Sequence, residues 1–203
     1  MATSSLPLPD GLRRTLPWLF VVALVAVPVG LAAGSPWLAY RGFAYITGGF
    51  AGILALCLLL AQPLLAAGYL PGLRGPRGRL WHRRAGVALL ALAALHLAGL
   101  WVTSPPDTLD ALLLRAPTPF SLWGFVSLWG IALTGVLVAL RRHVPSRGWR
   151  WAHNALAALV VLATVLHAVQ IEGAMELWSK WALCLAVLAA TVAALVDLRL
   201  LRR

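Results

Sequence analysis

Acidic residues are scarce in this chain: six Asp and Glu stand against seventeen Lys and Arg in 203 residues, and charges of both signs make up only 11%. A water-soluble globule needs more polar surface, because 61% hydrophobic residues cannot all be hidden in a body of this size. Cysteine is nearly absent. Cys57 and Cys184 both fall in apolar runs, which argues against a disulfide framework and leaves too few thiols for a metal site. Long polar linkers are missing too, so no second domain is indicated. With a mean hydropathy of +0.85, the chain belongs in a bilayer.

What the chain has in abundance is apolar runs of about 20 residues, the length that crosses a membrane as an α-helix. They predict an all-α membrane protein, a bundle of six transmembrane helices at 16–33, 45–69, 84–102, 121–140, 151–171 and 177–196. Turn residues mark the connectors: Gly34, Ser35 and Pro36, the segment 71–78, Ser104 to Pro106, and Pro145, Ser146 and Gly148. Eight of the ten Trp (Trp18, Trp37, Trp81, Trp101, Trp149, Trp151, Trp178, Trp181) fall near run ends, as interfacial anchors do. A signal peptide is the rival reading of the first run, but that run is longer than most h-regions.

The net charge of +11 is distributed for a membrane and not for nucleic acid. With a cytoplasmic N-terminus, fourteen of the seventeen basic residues lie inside: Arg13 and Arg14; Arg74, Arg77, Arg79, Arg83 and Arg84; Arg141, Arg142, Arg147 and Arg150; Arg199, Arg202 and Arg203. Arg41, Arg115 and Lys180 remain outside with four acids, Asp107, Asp110, Glu172 and Glu176. Every loop obeys the positive-inside rule. The expected organisation is a cytoplasmic segment 1–15, a membrane domain 16–198 and a cytoplasmic basic tail 199–203, in the plasma membrane of a bacterium.

Four histidines form two pairs of equal spacing, His82 with His96 and His153 with His167. Fourteen helical residues rise ~21 Å and complete roughly four turns less ~40°, so both members of a pair point to nearly the same side. The third and fifth runs are parallel, which sets His82 level with His153 and His96 level with His167. An imidazole in hydrocarbon needs partners for its ring nitrogens. Two layers of facing imidazoles are an arrangement for two stacked haems, each iron taking one nitrogen from either side. Gly86, Leu89 and Ala93 on one helix, and Ala157, Val160 and Thr164 on the other, share the histidine face and offer room for a porphyrin. His143, alone in a basic loop, reads as solvated.

At these residues the chain resembles the ferric reductase-like transmembrane domain. That six-helix haem core is shared by ferric reductases, NADPH oxidases and the haem-binding subunit of bacterial methionine sulfoxide reductase systems. The resemblance rests on Trp81-His82-Arg83-Arg84-Ala85-Gly86 followed by His96, and on Trp149-Arg150-Trp151-Ala152-His153 followed by His167, and spans roughly 40–200. It implies a b-type haem between His82 and His153 and a second between His96 and His167, with these four as axial iron ligands. The flavin and nicotinamide domains of the larger relatives have no counterpart here, and Gly72, Gly75 and Gly78 read as turn chemistry. A separate flavin reductase or a membrane quinol is then the expected donor.

Two histidines per iron leave no open position, which suits outer-sphere electron transfer to an extracytoplasmic acceptor such as ferric iron or a partner reductase. Arg83, Arg84 and Arg150 are positioned to pair with haem propionates or to attract an acidic donor, although for any one of them setting topology alone is the preferred reading. The pairs Asp107 with Asp110 and Glu172 with Glu176 read as solvated acids before they read as a cation site, and 111–114 as a short interfacial helix. The rival functions are a haem-bearing subunit of a periplasmic reductase of the methionine sulfoxide type and, from another class, a haem-free transporter using the histidines as a proton relay. Transporters usually carry Pro or Gly interruptions in corresponding helices; Pro28 and Pro63 have no such counterparts.

Overall fold

The computed structural model describes residues 9–200. Among them it is all helical: α1 (Asp10–Ala33), α2 (Phe43–Ala67), α3 (Gly75–Thr103), a short α4 (Pro105–Leu112), α5 (Pro119–Ala139), α6 (Ser146–Gln170) and α7 (Leu177–Leu200). Every helix but α4 is long and apolar enough to cross a membrane. Large apolar side chains point outward along them, among them Leu19, Phe20, Val87, Leu133, Leu162 and Leu185. An outer surface of this kind is stable against lipid and not against water.

Several helices outrun their apolar stretches. The helix α1 begins at Asp10 and not at 16, and α3 begins at Gly75, nine residues before the expected 84. The segment 71–78 is therefore only partly a connector. Gly72 and Gly75 do turn the chain, with φ of 81° and 60°, but Pro76 is preset for a first helical turn and the arginines that follow continue it. Gly78 is helical, and a Cβ there would meet the Leu73 carbonyl oxygen at 2.5 Å. In the same way Ser146 and Gly148 open α6 instead of preceding it. The extension of α3 puts His82 inside regular helix, where His153 already lies by the expected bounds of the fifth run, and the fourteen-residue register holds in both. The short helix expected at 111–114 lies at Pro105–Leu112. Two prolines and Asp107 suit its first turn, Asp107 accepts from Ser104 Oγ at 2.6 Å, and Leu114 ends the segment at φ 59°. The basic tail at 199–203 lies outside the described residues except for the helical backbone at 199–200, as does the N-terminal segment through 8.

Packing follows chain order. The hairpin of α2 and α3 and that of α5 and α6 are the two closest associations, and α7 joins them by lying against α2 and α6. Leu56, Cys57 and Leu60 of α2, Val160, Val161 and Val165 of α6, and Leu183, Cys184 and Val187 of α7 share one core. The first hairpin is tight because two glycines face each other: a Cβ on Gly99 would lie 2.6 Å from the Gly48 Cα and 2.8 Å from the Ala44 carbonyl oxygen. At the end of the bundle holding the 71–78 segment, Trp18 Nε1 donates to the Pro71 carbonyl at 3.2 Å, and Tyr69 donates to the Asp197 carboxylate. At the other end Lys180, counted with the loop charges, is instead buried in the first turn of α7 and donates to the Ile171 carbonyl at 2.6 Å.

Two tests follow from this packing. Gly99→Leu forces the first hairpin apart and is expected to destabilise the protein by ~1–3 kcal/mol, read from thermal unfolding in detergent by Trp fluorescence. The hydrogen bond to Asp197, with desolvation, pushes the Tyr69 phenol up to about 12. A raised phenol favours the fold below the unfolded-state value of about 10, and that contribution is lost as pH rises through the folded value. Tyr69→Phe should remove this alkaline loss while lowering neutral-pH stability by about 1 kcal/mol.

Candidate functional site

The four histidines occupy the seams of the two hairpins. On α3, the His96 Nδ1 lies 2.8 Å from the Gly48 carbonyl oxygen of α2. On α6, the His167 Nδ1 lies 2.8 Å from the Phe120 carbonyl oxygen of α5. Both contacts depend on a glycine one helical turn beyond the carbonyl. A Cβ on Gly52 would come within 2.9 Å of the His96 Nδ1, and one on Gly124 within 2.8 Å of the His167 Nδ1. In a helix the residue at i+4 sits beside the carbonyl of residue i, so at these two positions glycine leaves that oxygen open to a ring approaching to 2.8 Å. His82 meets α2 similarly: its Nδ1 is 3.2 Å from the Gln62 carbonyl oxygen, while Gln62 Nε2 donates back to the His82 carbonyl at 3.4 Å.

A carbonyl oxygen only accepts, so in these three rings Nδ1 carries the proton and donates it. In the neutral ring the lone pair is then on Nε2. Across the bundle the rings meet in the expected combinations, His82 with His153 at 6.1 Å between centroids and His96 with His167 at 6.3 Å. Two imidazoles facing each other in line across one metal, at ~2.0 Å per nitrogen, would have their centroids ~6.3 Å apart. The ring planes cross at 79° and 74°. Among the described residues no three His, Cys, Asp or Glu side chains gather as a metal cluster. The donor set is paired imidazoles, and at this spacing each pair would suit an iron held between two nitrogens, as in a b-type haem.

The fourth ring is held differently. Trp149 stacks on His153 with centroids 5.0 Å apart and planes 6° from parallel, and the Arg141 guanidinium lies 4.6 Å above the Trp149 ring. Among the described residues the buried His153 Nδ1 and Trp149 Nε1 have no hydrogen-bond partner. Arg83, Arg84 and Arg150 are exposed at this same end, and Arg84 lies 5.3 Å over Trp81. It is Arg141 that reaches, through Trp149, toward a histidine of the site. His143 is exposed.

Not every residue on the histidine face has the expected surroundings. Leu89, Ala93 and Val160 are buried; Val160 fills the space over Gly130, 2.6 Å from where its Cβ would be. Thr164 shares a 2.6 Å hydrogen bond with Ser127 of α5. These side chains close the hairpin seams instead of lining open space, because the histidines themselves sit on seam faces. The acids have structural work as well. Glu176 accepts from the backbone N–H of Trp178 at 2.9 Å and of Ser179 at 2.7 Å, capping α7. These bonds hold its carboxyl below the usual carboxylate range.

The class of protein is thus a six-helix membrane bundle with two opposed pairs of imidazoles. The family described as "Ferric reductase like transmembrane component" matches residues 51–164, over half of the chain, and the chain belongs to it. The match covers α2 to α6 and takes in His82, His96 and His153; His167 lies three residues past its end, opposite His96. No curated protein and no solved structure matches the chain.

If the His96–His167 pair holds a haem and the glycine-gated carbonyl contacts position its rings, Gly52→Ala and Gly124→Ala should each weaken haem retention there by about 10- to 100-fold. The readout is haem per chain after purification, and Gly30→Ala, where a Cβ meets nothing within 4 Å, is the control.

Proposed function

We propose that this chain is a transmembrane electron conduit that holds two b-type haems, one between His82 and His153 and one between His96 and His167. The observation that carries this reading is the geometry of the rings: two opposed pairs at 6.1 and 6.3 Å, with Nδ1 committed to a backbone carbonyl in three of four. When bound, two haems with both axial positions filled supply outer-sphere, one-electron transfer. The histidines ligate, and the carbonyls of Gln62, Gly48 and Phe120 fix the tautomer and the ring orientation. Separation of the two layers by fourteen helical residues, ~21 Å along α3 and α6, lets one chain reach from one side of the hydrocarbon to the other.

The arginine-rich end, with Arg83, Arg84 and Arg150, faces the cytoplasm by the positive-inside rule. There these side chains pair with cofactor carboxylates or attract an acidic donor, either a separate flavoprotein or the headgroup region of a quinol. Electrons leave at the opposite end to an extracytoplasmic acceptor such as ferric iron. A plasma membrane, in a bacterium, is the setting this implies. Because Asp107 is bonded to the Ser104 hydroxyl and Glu176 caps α7, the acceptor is met by the exposed outer surface and not by a preformed carboxylate cage.

The test is electron transfer across a sealed bilayer. Proteoliposomes containing trapped ferricyanide are given external dithionite, and bleaching of the ferricyanide is followed optically. The reading predicts bleaching that requires the protein and falls to the protein-free rate in His96→Ala and in His82→Ala. Bleaching at the protein-free rate with the unaltered chain, purified with its haems, would overturn it.

A further inference from the structure

The two ligand pairs are not equivalent in what stands behind them. At the His96–His167 pair both rings donate from Nδ1 to a backbone carbonyl at 2.8 Å. At the His82–His153 pair one contact is longer, 3.2 Å, and the other is missing, since the His153 Nδ1 has no partner among the described residues and its ring is stacked on Trp149. The difference breaks an otherwise repeated construction. In the first hairpin the carbonyls of Gly48 and Gln62, fourteen residues apart, serve His96 and His82. In the second, Phe120 serves His167, and the residue fourteen positions later is Thr134, which instead donates its own hydroxyl to the Gly130 carbonyl at 2.7 Å.

A hydrogen bond from Nδ1–H to a carbonyl makes the imidazole more basic and favours the oxidised, more positive iron. Charge acts in the same direction. Arg83, Arg84, Arg141 and Arg150 crowd the His82–His153 end, whereas Asp107, Asp110, Glu172 and Glu176 lie at the other, tempered there by Arg41, Arg115 and Lys180. Resting on the two-haem reading above, we propose that Trp149 and the unbonded ring of His153 make the His82–His153 haem the higher-potential member of the pair. An electron entering at the arginine-rich end is then held there, and its onward step depends on the membrane field and on withdrawal by the acceptor.

The experiment is a spectroelectrochemical titration of the purified, haem-loaded full-length protein. It is repeated for His82→Ala and His153→Ala, and for His96→Ala and His167→Ala, so that either member of a pair identifies its component. Two one-electron components are expected, with the electron favouring the His82–His153 site about tenfold, a separation of ~59 mV. The component lost in His82→Ala or His153→Ala should be the higher one, and the order should persist at high salt, which screens the exposed arginines. The reverse order, or coincident potentials, would overturn this assignment while leaving the two-haem reading intact. A protein that binds no haem would overturn the reading beneath it. An order that inverts at high salt would assign the asymmetry to the arginines and overturn the role given to Trp149 and His153.

Discussion

In three of the four paired histidines the arrangement depends on a hydrogen bond from the imidazole Nδ1–H to a main-chain carbonyl of the neighbouring helix. Such a carbonyl already accepts its own intrahelical bond, and its second lone pair is normally shielded by the side chain one turn later. Gly52 and Gly124 remove that shield. The ring is then satisfied on one nitrogen within hydrocarbon and is left with the other to bind. Pairing each histidine helix with the helix that precedes it is therefore more than convenient topology: it brings the carbonyl, the glycine and the ring together, and the mutual approach of Gly48 and Gly99 sets how near they come.

The two hairpins apply the same construction twice and then diverge at one position. The residues that break the symmetry, Trp149 and His153, stand at the arginine-rich end and are stacked in line with Arg141. Away from that end the bundle is conventional: an apolar core of α2, α6 and α7, lipid-facing Leu and Val, and a Glu176 cap on α7. The buried Lys180 holds the Ile171 carbonyl four residues after His167, so it steadies the end of α6 next to that ring.

The fold was readable because bilayer thickness dictates run length, and because arginines alternate with the runs. The pairing of His82 with His153 and of His96 with His167 was equally readable, since fourteen residues nearly close four turns and parallel helices align the layers. Helix ends were less so. Run length measures only the part of a helix that lipid must cover, so in sequence the polar turns of α3 at Gly75 and α6 at Ser146 read as connectors. The carbonyl partners were hidden for a different reason: main-chain atoms carry no sequence signal. Only the glycines beside them do, and Gly52 and Gly124, lying 44 and 43 positions before His96 and His167, were the available trace. Trp149 was seen as an interfacial anchor, which it resembles; its stacking on His153 is a tertiary fact. Likewise Ser104 and Asp107 have the spacing of a helix start, and that signal, given weight, would have placed α4 correctly.

The most direct measurement is the optical spectrum of the purified protein, oxidised and then dithionite-reduced, with haem quantified per chain. The account predicts low-spin b-type bands at about two haems per chain, falling by about half in His167→Ala, the ligand that lies beyond the family match, and by about half again when His82→Ala is added. Full haem content in the double variant, or a single haem insensitive to both changes, would contradict it.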